Sequence, residues 1–387
     1  MKIGDHMKET VLIQQKNRVE LTLGWLKKDL VFTSSFVLAT ASCFIQPPKI
    51  ESINFHVLIS LFNLMLAIKA FEELKLLDKL AINLLNKCRS SKSVSAILVL
   101  LCFFISMIVT NDVALLTFVP LTLVISQKAK LPMMETVILQ TIAANLGSSL
   151  TPMGNPQNLF IYSYFAIKPL SFFITVAFMA ILGVLSIYFL IHRLKGAKLQ
   201  VDLTPVVMND RKKVMVWGLV LVMIVASIFG ILNVQIAFVL TLLISLLFNK
   251  RLFLKVDYLL LFTFICFFVF IGNISHTEAL QSFASNHLKN ADSVYFMSII
   301  FSQFISNVPA SILLANFTND WKPLLLGVNI GGLGTIIASL ASVISYKLFI
   351  HSNPSEGKPY LIKFTLYNFT FLILFAFAQY AIFKITR

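Results

Sequence analysis

Asn145-Leu146-Gly147-Ser148-Ser149-Leu150-Thr151-Pro152-Met153-Gly154-Asn155-Pro156-Gln157-Asn158 interrupts a mostly apolar segment with amides, hydroxyls, two glycines and two prolines. What this run means depends on its solvent. The chain has 387 residues, 58% hydrophobic and 13% charged, with a mean hydropathy of +0.85. Those values lie outside the range of soluble globular domains. Apolar stretches long enough to cross a hydrocarbon core of about 30 Å recur, as at Leu170 to Ile191, Val214 to Leu232, Tyr258 to Ile274 and Leu361 to Phe383. Period-two alternation is absent, and Leu98 to Ile105 and Leu259 to Ile271 are apolar on every face, so the spans are helices and not barrel strands. In lipid an unpaired backbone N–H or C=O costs several kcal/mol, so a helix broken at 145–158 must face protein or cavity water.

The net charge of +15 is not a nucleic-acid footprint, because the positive residues sit beside the hydrophobic segments. With the N-terminus in the cytoplasm, the inner segments gather Lys75, Lys79, Lys87, Arg89, Lys92, Lys128, Lys130, Arg193, Arg211 to Lys213, Lys250, Arg251 and Lys255, together with the lysines before residue 29. The outer segments hold few, such as Lys49, Lys168, Lys289 and Lys322. That bias, about four to one, satisfies the positive-inside rule and predicts a multi-pass protein of the plasma (inner) membrane. The first 29 residues lack the order of a cleaved signal peptide, so insertion without processing is expected. Cys43, Cys88, Cys102 and Cys266 have no metal-type spacing. No phosphate-binding loop or dinucleotide fingerprint is present, and no nucleophile and base pair lies among the spans, which argues against an enzyme or an ATP-driven pump.

The order of parts recurs in two halves. In the first, a span ending near Phe71 leads into an amphipathic stretch, Glu72 to Lys87, and then into Val94 to Ser126, broken at Thr110-Asn111-Asp112. In the second, a span ending near Ser275 leads into His276 to Asn290 and then into Val294 to Phe317, broken at Ser306-Asn307-Val308-Pro309. Asn329-Ile330-Gly331-Gly332-Leu333-Gly334-Thr335 parallels the opening run, aligning Asn145 with Asn329, Gly147 with Gly331 and Thr151 with Thr335. The topology count makes the repeat inverted, the arrangement that lets two halves rock around a midplane site. The expected organisation is a cytoplasmic segment 1–29, a first helix and loop 30–52, a first repeat 53–194, a linker 195–213, connecting helices 214–256 and a second repeat 257–387. The expected fold is an inverted-repeat transporter with about ten spanning or broken helices and two re-entrant hairpins.

Short oxygen-bearing side chains and half-helix termini at such breaks suit a small solute or a cation. Pro152, Pro156 and Pro309 are expected to free carbonyls for ligation. Asp112 is the one acidic residue placed deep in the membrane, where a charge costs at least about 2.5 kcal/mol and is functional by default. The bland alternative is that it caps a half-helix starting at Val113. Gly147, Gly331 and Gly332 have a packing alternative of the same kind. No Lys or Arg falls at the midplane, and Lys69 and Lys347 are left at inner helix ends.

Thr110 to Pro120 and Ala144 to Leu159 resemble the ion transporter superfamily, which includes arsenite permeases, citrate transporters, divalent anion:sodium symporters and one sodium/proton antiporter branch. The resemblance runs from about Asn54 to the C-terminus. It implies two re-entrant hairpins and two discontinuous helices around a central site, and often a homodimer. Dicarboxylate symporters carry Ser-Asn-Thr in both tips, whereas the Thr-Asn-Asp here is more similar to the arsenite permease and antiporter branches. The expected solute- or ion-binding residues are Thr110, Asn111, Asp112, Asn145, Gly147, Thr151, Gly154, Asn155, Asn158, Ser306, Asn307, Asn329, Gly331 and Thr335. A coupling sodium is expected near Asn111, Asp112 and Asn307, with a proton as the alternative, and no cofactor. The expected function is secondary active transport of a small anion or oxyanion, with sodium/proton antiport or a passive channel as alternatives.

Overall fold

The computed structural model describes residues 30–194, 196–198, 203–208 and 210–385. The expected cytoplasmic segment 1–29 and part of the linker 195–213 lie outside them. Every regular element among the described residues is helical. After α1 (Leu30–Ser42) come α2 (Phe55–Glu73), α3 (Leu76–Leu85), α4 (Ser91–Val109), α5 (Asn111–Ala129), α6 (Met134–Ser148), α7 (Pro156–Tyr164) and α8 (Pro169–Arg193). Two connecting helices, α9 (Arg211–Ile228) and α10 (Val234–Asn249), lead to α11 (Tyr258–Ile274), α12 (Glu278–His287), α13 (Ala291–Ile305), α14 (Asn307–Ala315), α15 (Trp321–Gly331), α16 (Leu340–Ser352) and α17 (Gly357–Ile385). The series α2 to α8 and α11 to α17 match part for part.

Six helices are long and apolar enough to cross a membrane among the described residues. On α8 the buried residues Phe172, Val176, Met179, Gly183 and Ile187 form one stripe, while Leu170, Ile174, Ile181, Leu185 and Tyr188 are exposed. One packed stripe and an apolar outer surface mark a helix whose other solvent is lipid. The chain is an all-α, multi-pass integral membrane protein.

Equivalent caps begin equivalent helices, as N–H groups freed at a helix start require. Asn54 accepts from Val57 N at the start of α2, and Asp257 accepts from Leu260 N at the start of α11. Ser90 and Asn290 do the same for α4 and α13. In both halves a long helix then turns into a short amphipathic one, through a left-handed Lys75 (φ 56°) before α3 and a bend of 88° before α12. On α3, Leu77, Ala81, Ile82 and Leu85 face the protein and Leu80 faces out.

One residue separates the helices at each tip, and the two arms pack on each other. Thr110 has φ 77° and ψ 153°, and Ser306 has φ 72° and ψ 153°. Only glycine visits that region readily, and the cost is of order 1–3 kcal/mol per residue. The same clamp holds both turns: Thr151 Oγ1 donates to Met107 O at 2.5 Å, and Thr335 Oγ1 donates to Gln303 O at 3.0 Å. Each bond satisfies a carbonyl left orphaned in the last turn of the arm. We therefore expect Thr110→Gly and Ser306→Gly each to stabilise the detergent-solubilised protein by about 1 kcal/mol, net of glycine's added chain entropy. A fall in melting temperature in both variants would show that the tips are unstrained.

The glycines serve close approach of α6 to α4 and of α15 to α13. A Cβ at Gly147 would lie 2.0 Å from Phe103 O, and one at Gly331 would lie 2.6 Å from Ser302 Cβ. Between the halves, α5 packs on α16 and α14 packs on α7.

Candidate functional site

The two helix breaks meet through their amides. Asn155 Nδ2 donates to Asn329 Oδ1 at 3.1 Å, and Asn329 Nδ2 donates to Asn158 Oδ1 at 2.7 Å. Across the symmetry, Asn145 Oδ1 accepts from Ser339 Oγ at 3.0 Å and from Asn111 Nδ2 at 3.1 Å. Ser339 opens α16 where Asn155 opens α7, so each half's broken helix is held by the residue that starts the other half's return segment. All six are buried. In a medium without competing water such bonds fix the relative placement of the halves, each contributing about 0.6–2 kcal/mol.

The sequence-predicted residues divide on this geometry. Asn155 Oδ1 caps α7 through Asn158 N at 2.9 Å, and Asn158 Nδ2 donates to the carbonyls of Ser149 and Thr151, both at 3.0 Å. These two amides are engaged with the protein itself. Gly147 and Gly331 face the adjacent hairpin arm, as the packing alternative has it, and a Cβ at Gly154 would lie 2.2 Å from Ser148 O. Gly154 O accepts from Asn111 N at 3.2 Å, and the equivalent Ala338 O accepts from Ser306 Oγ at 3.4 Å. Thr151 and Thr335 clamp the tips, and Asn307 Nδ2 lies against Gly332. One expectation is corrected, and one alternative does not fit. Pro156 and Pro309 fall in the first turns of α7 and α14, where the missing N–H breaks no helical bond and frees no carbonyl. The helix at the first tip begins at Asn111, not Val113, and Asp112 does not cap it.

Thr110 and Asp112 do open onto a common space. A cavity of about 130 Å³ is lined by Thr110, Asp112, Val113 and Leu116 of the first tip, Pro156, and Leu340 and Ile344 of α16. Val31 on α1, Lys69 on α2 and Asp257 before α11 also line it. Lys69 and Asp257 lie near the helix ends that adjoin the basic segments 75–92 and 250–255. Asp112 Oδ1 is buried without a hydrogen-bond partner. A carboxylate oxygen in that state is poised for a proton or a cation, since leaving it bare carries the full desolvation penalty.

Sequence reading missed three groups here. Lys69 is a cavity residue, not merely a helix-end lysine, and its Nζ pairs with Glu72 Oε2 at 2.9 Å. Asp257 precedes the span expected at Tyr258 to Ile274, and the packing of α11 brings it to the cavity that Thr110 and Asp112 line. Ser339 carries an alignment signal, because it lies 184 positions after Asn155, the offset that separates Asn145 from Asn329.

Comparison with known proteins agrees with this architecture. A family model described as a citrate transporter matches residues 21–320. Uncharacterized transporter MJ0456 of Methanocaldococcus jannaschii is 34% identical over 90% of this chain and 97% of its own length. Inner membrane protein YbiR of Escherichia coli is 29% identical over 86% of this chain and 88% of its own. With a doubled series of helices, two broken segments joined by buried amides and a family match over most of its length, the chain belongs to the citrate transporter family, membrane transporters of the ion transporter superfamily.

Proposed function

We propose that this protein is a secondary active transporter that moves a small anion or oxyanion and couples it to a proton or sodium ion taken at Asp112. The observation that carries the reading is the cavity that reaches the first hairpin tip and bears an unpartnered, buried carboxylate oxygen. The family description supports the anion, since citrate is a carboxylate. The cavity wall supports the coupling. Asp112 and Asp257 repel an entering anion, and a cation or proton bound among them removes that repulsion. The matched halves suit alternating access by rocking, with the repeat inverted as the charge bias implies. In that orientation the cavity opens to the cytoplasm, and the plasma (inner) membrane is the proposed address, as the name of YbiR states for that relative. A homodimer is proposed on the family resemblance.

The acidic lining also favours a second reading, a sodium/proton antiporter in which both ions compete for Asp112. Purified protein in liposomes separates the two. Arsenite, phosphate, sulfate, succinate and citrate are offered under imposed proton or sodium gradients. Accumulation of one anion against its own gradient is the expected result. Sodium and proton exchange without anion movement replaces it with the antiporter, and downhill equilibration alone means a passive channel.

A further inference from the structure

We infer that Lys69 is the anion-receiving group of this cavity, held by Glu72 until the cargo displaces it. This rests on the anion reading above and names the counter-charge that the sequence did not place near the site. On α2, Leu61, Leu64, Met65 and Ile68 line the cavity at helical spacing, and Lys69 ends that stripe with a polar group. Among the described residues lining the cavity, Lys69 alone has a basic side chain.

Its ammonium is paired within its own helix, 2.9 Å from Glu72 Oε2 and 3.1 Å from Oε1, with the two side chains 21% and 15% exposed. Glu72 is an i,i+3 partner on the same helix, a weak kind of pair, and exchanging it for a carboxylate or oxyanion cargo replaces like with like. Glu73, next in sequence, has separate partners in Lys255 and Asn249 and ties the end of α2 to residues 250–255. Holding the helix end therefore does not depend on Lys69.

Among the described residues, the other charged groups lining the cavity are Asp112 on α5 and Asp257 before α11. With Glu72 on Lys69, these described groups sum to a negative charge, which opposes the entry of an anion. A cation or proton at Asp112 lowers that barrier, after which the cargo reaches Lys69. The order is cation first and anion second, and it gives a physical reason for coupling.

The test uses Lys69→Gln, Lys69→Arg and Glu72→Gln in proteoliposomes, with initial rates measured against the concentration of whichever of citrate, succinate, phosphate or sulfate the wild type accumulates. Lys69→Gln is expected to raise KM about tenfold with kcat changed far less, as loss of one charge-assisted contact does. Glu72→Gln is expected to lower KM about threefold by freeing the ammonium, and Lys69→Arg to keep KM near the wild-type value. Opposite signs for the two neutral variants are the signature, because a merely structural pair would suffer alike from either loss. Unchanged KM in Lys69→Gln, or a raised KM in Glu72→Gln, overturns the inference while the anion reading stands. If Lys69→Gln does not fold, the sign of the Glu72→Gln effect decides alone. Wild-type vesicles that exchange only sodium and protons overturn the anion reading and this inference with it.

Discussion

Asp112→Asn is expected to abolish concentrative uptake while the protein still folds and inserts. The substitution keeps the shape of the side chain at the second position of α5 and removes the charge. Since Asp112 Oδ1 has no protein partner, no hydrogen bond to it is lost on replacement. Relief from placing a charge at depth makes the variant at least as stable as the wild type. What disappears is a charged ligand for the coupling ion. A contact to a charged group is worth about 1.5–3 kcal/mol, so affinity for that ion falls about tenfold to 150-fold. In vesicles, solute then equilibrates and no longer accumulates. Accumulation at the wild-type level in Asp112→Asn, with a normal melting temperature, would remove Asp112 from the coupling mechanism.

Gly147→Ala is expected to have the largest effect on stability. The added Cβ would lie 2.0 Å from the carbonyl oxygen of Phe103 and 2.5 Å from Ser106 Oγ. A backbone atom cannot rotate away, so α6 and α4 must separate by more than an ångström, carrying Asn145 and the Thr151 clamp with them. Overpacking of this kind costs about 3 kcal/mol where the backbone is the obstacle. Gly331→Ala meets side-chain atoms of Ser302 first, at 2.6 Å, and costs less, about 1–2 kcal/mol. Thermal denaturation in detergent should rank wild type above Gly331→Ala above Gly147→Ala. Equal stability of Gly147→Ala and wild type would mean that the two helices do not approach as closely as described.

Much of the candidate site was legible because lipid makes polar sequence conspicuous. Asp112, the paired tips and the aligned Asn145 and Asn329 all stand out against apolar flanks, since each must have a reason to be there. The roles of the amides were not legible. Asn155 and Asn158 have the right chemistry for ligands, yet they meet the other half's Asn329, a residue more than 170 positions away in the chain. Asn145 likewise has a partner, Ser339, that lies 194 positions on.

The sequence by itself determined the solvent, the helical class, the doubling of the chain and the places where helices break. These follow from composition, periodicity and the cost of bare backbone in hydrocarbon, all of which are local or additive along the chain. Only the tertiary structure decided which polar groups satisfy one another and which are left facing a cavity. Hydrogen bonds between Asn155 and Asn329, and the approach of Lys69 and Asp257 to the tip that carries Asp112, depend on how distant helices pack. A side chain's partners are a property of three-dimensional neighbours, and a buried polar group becomes a site only when those neighbours leave it unmatched.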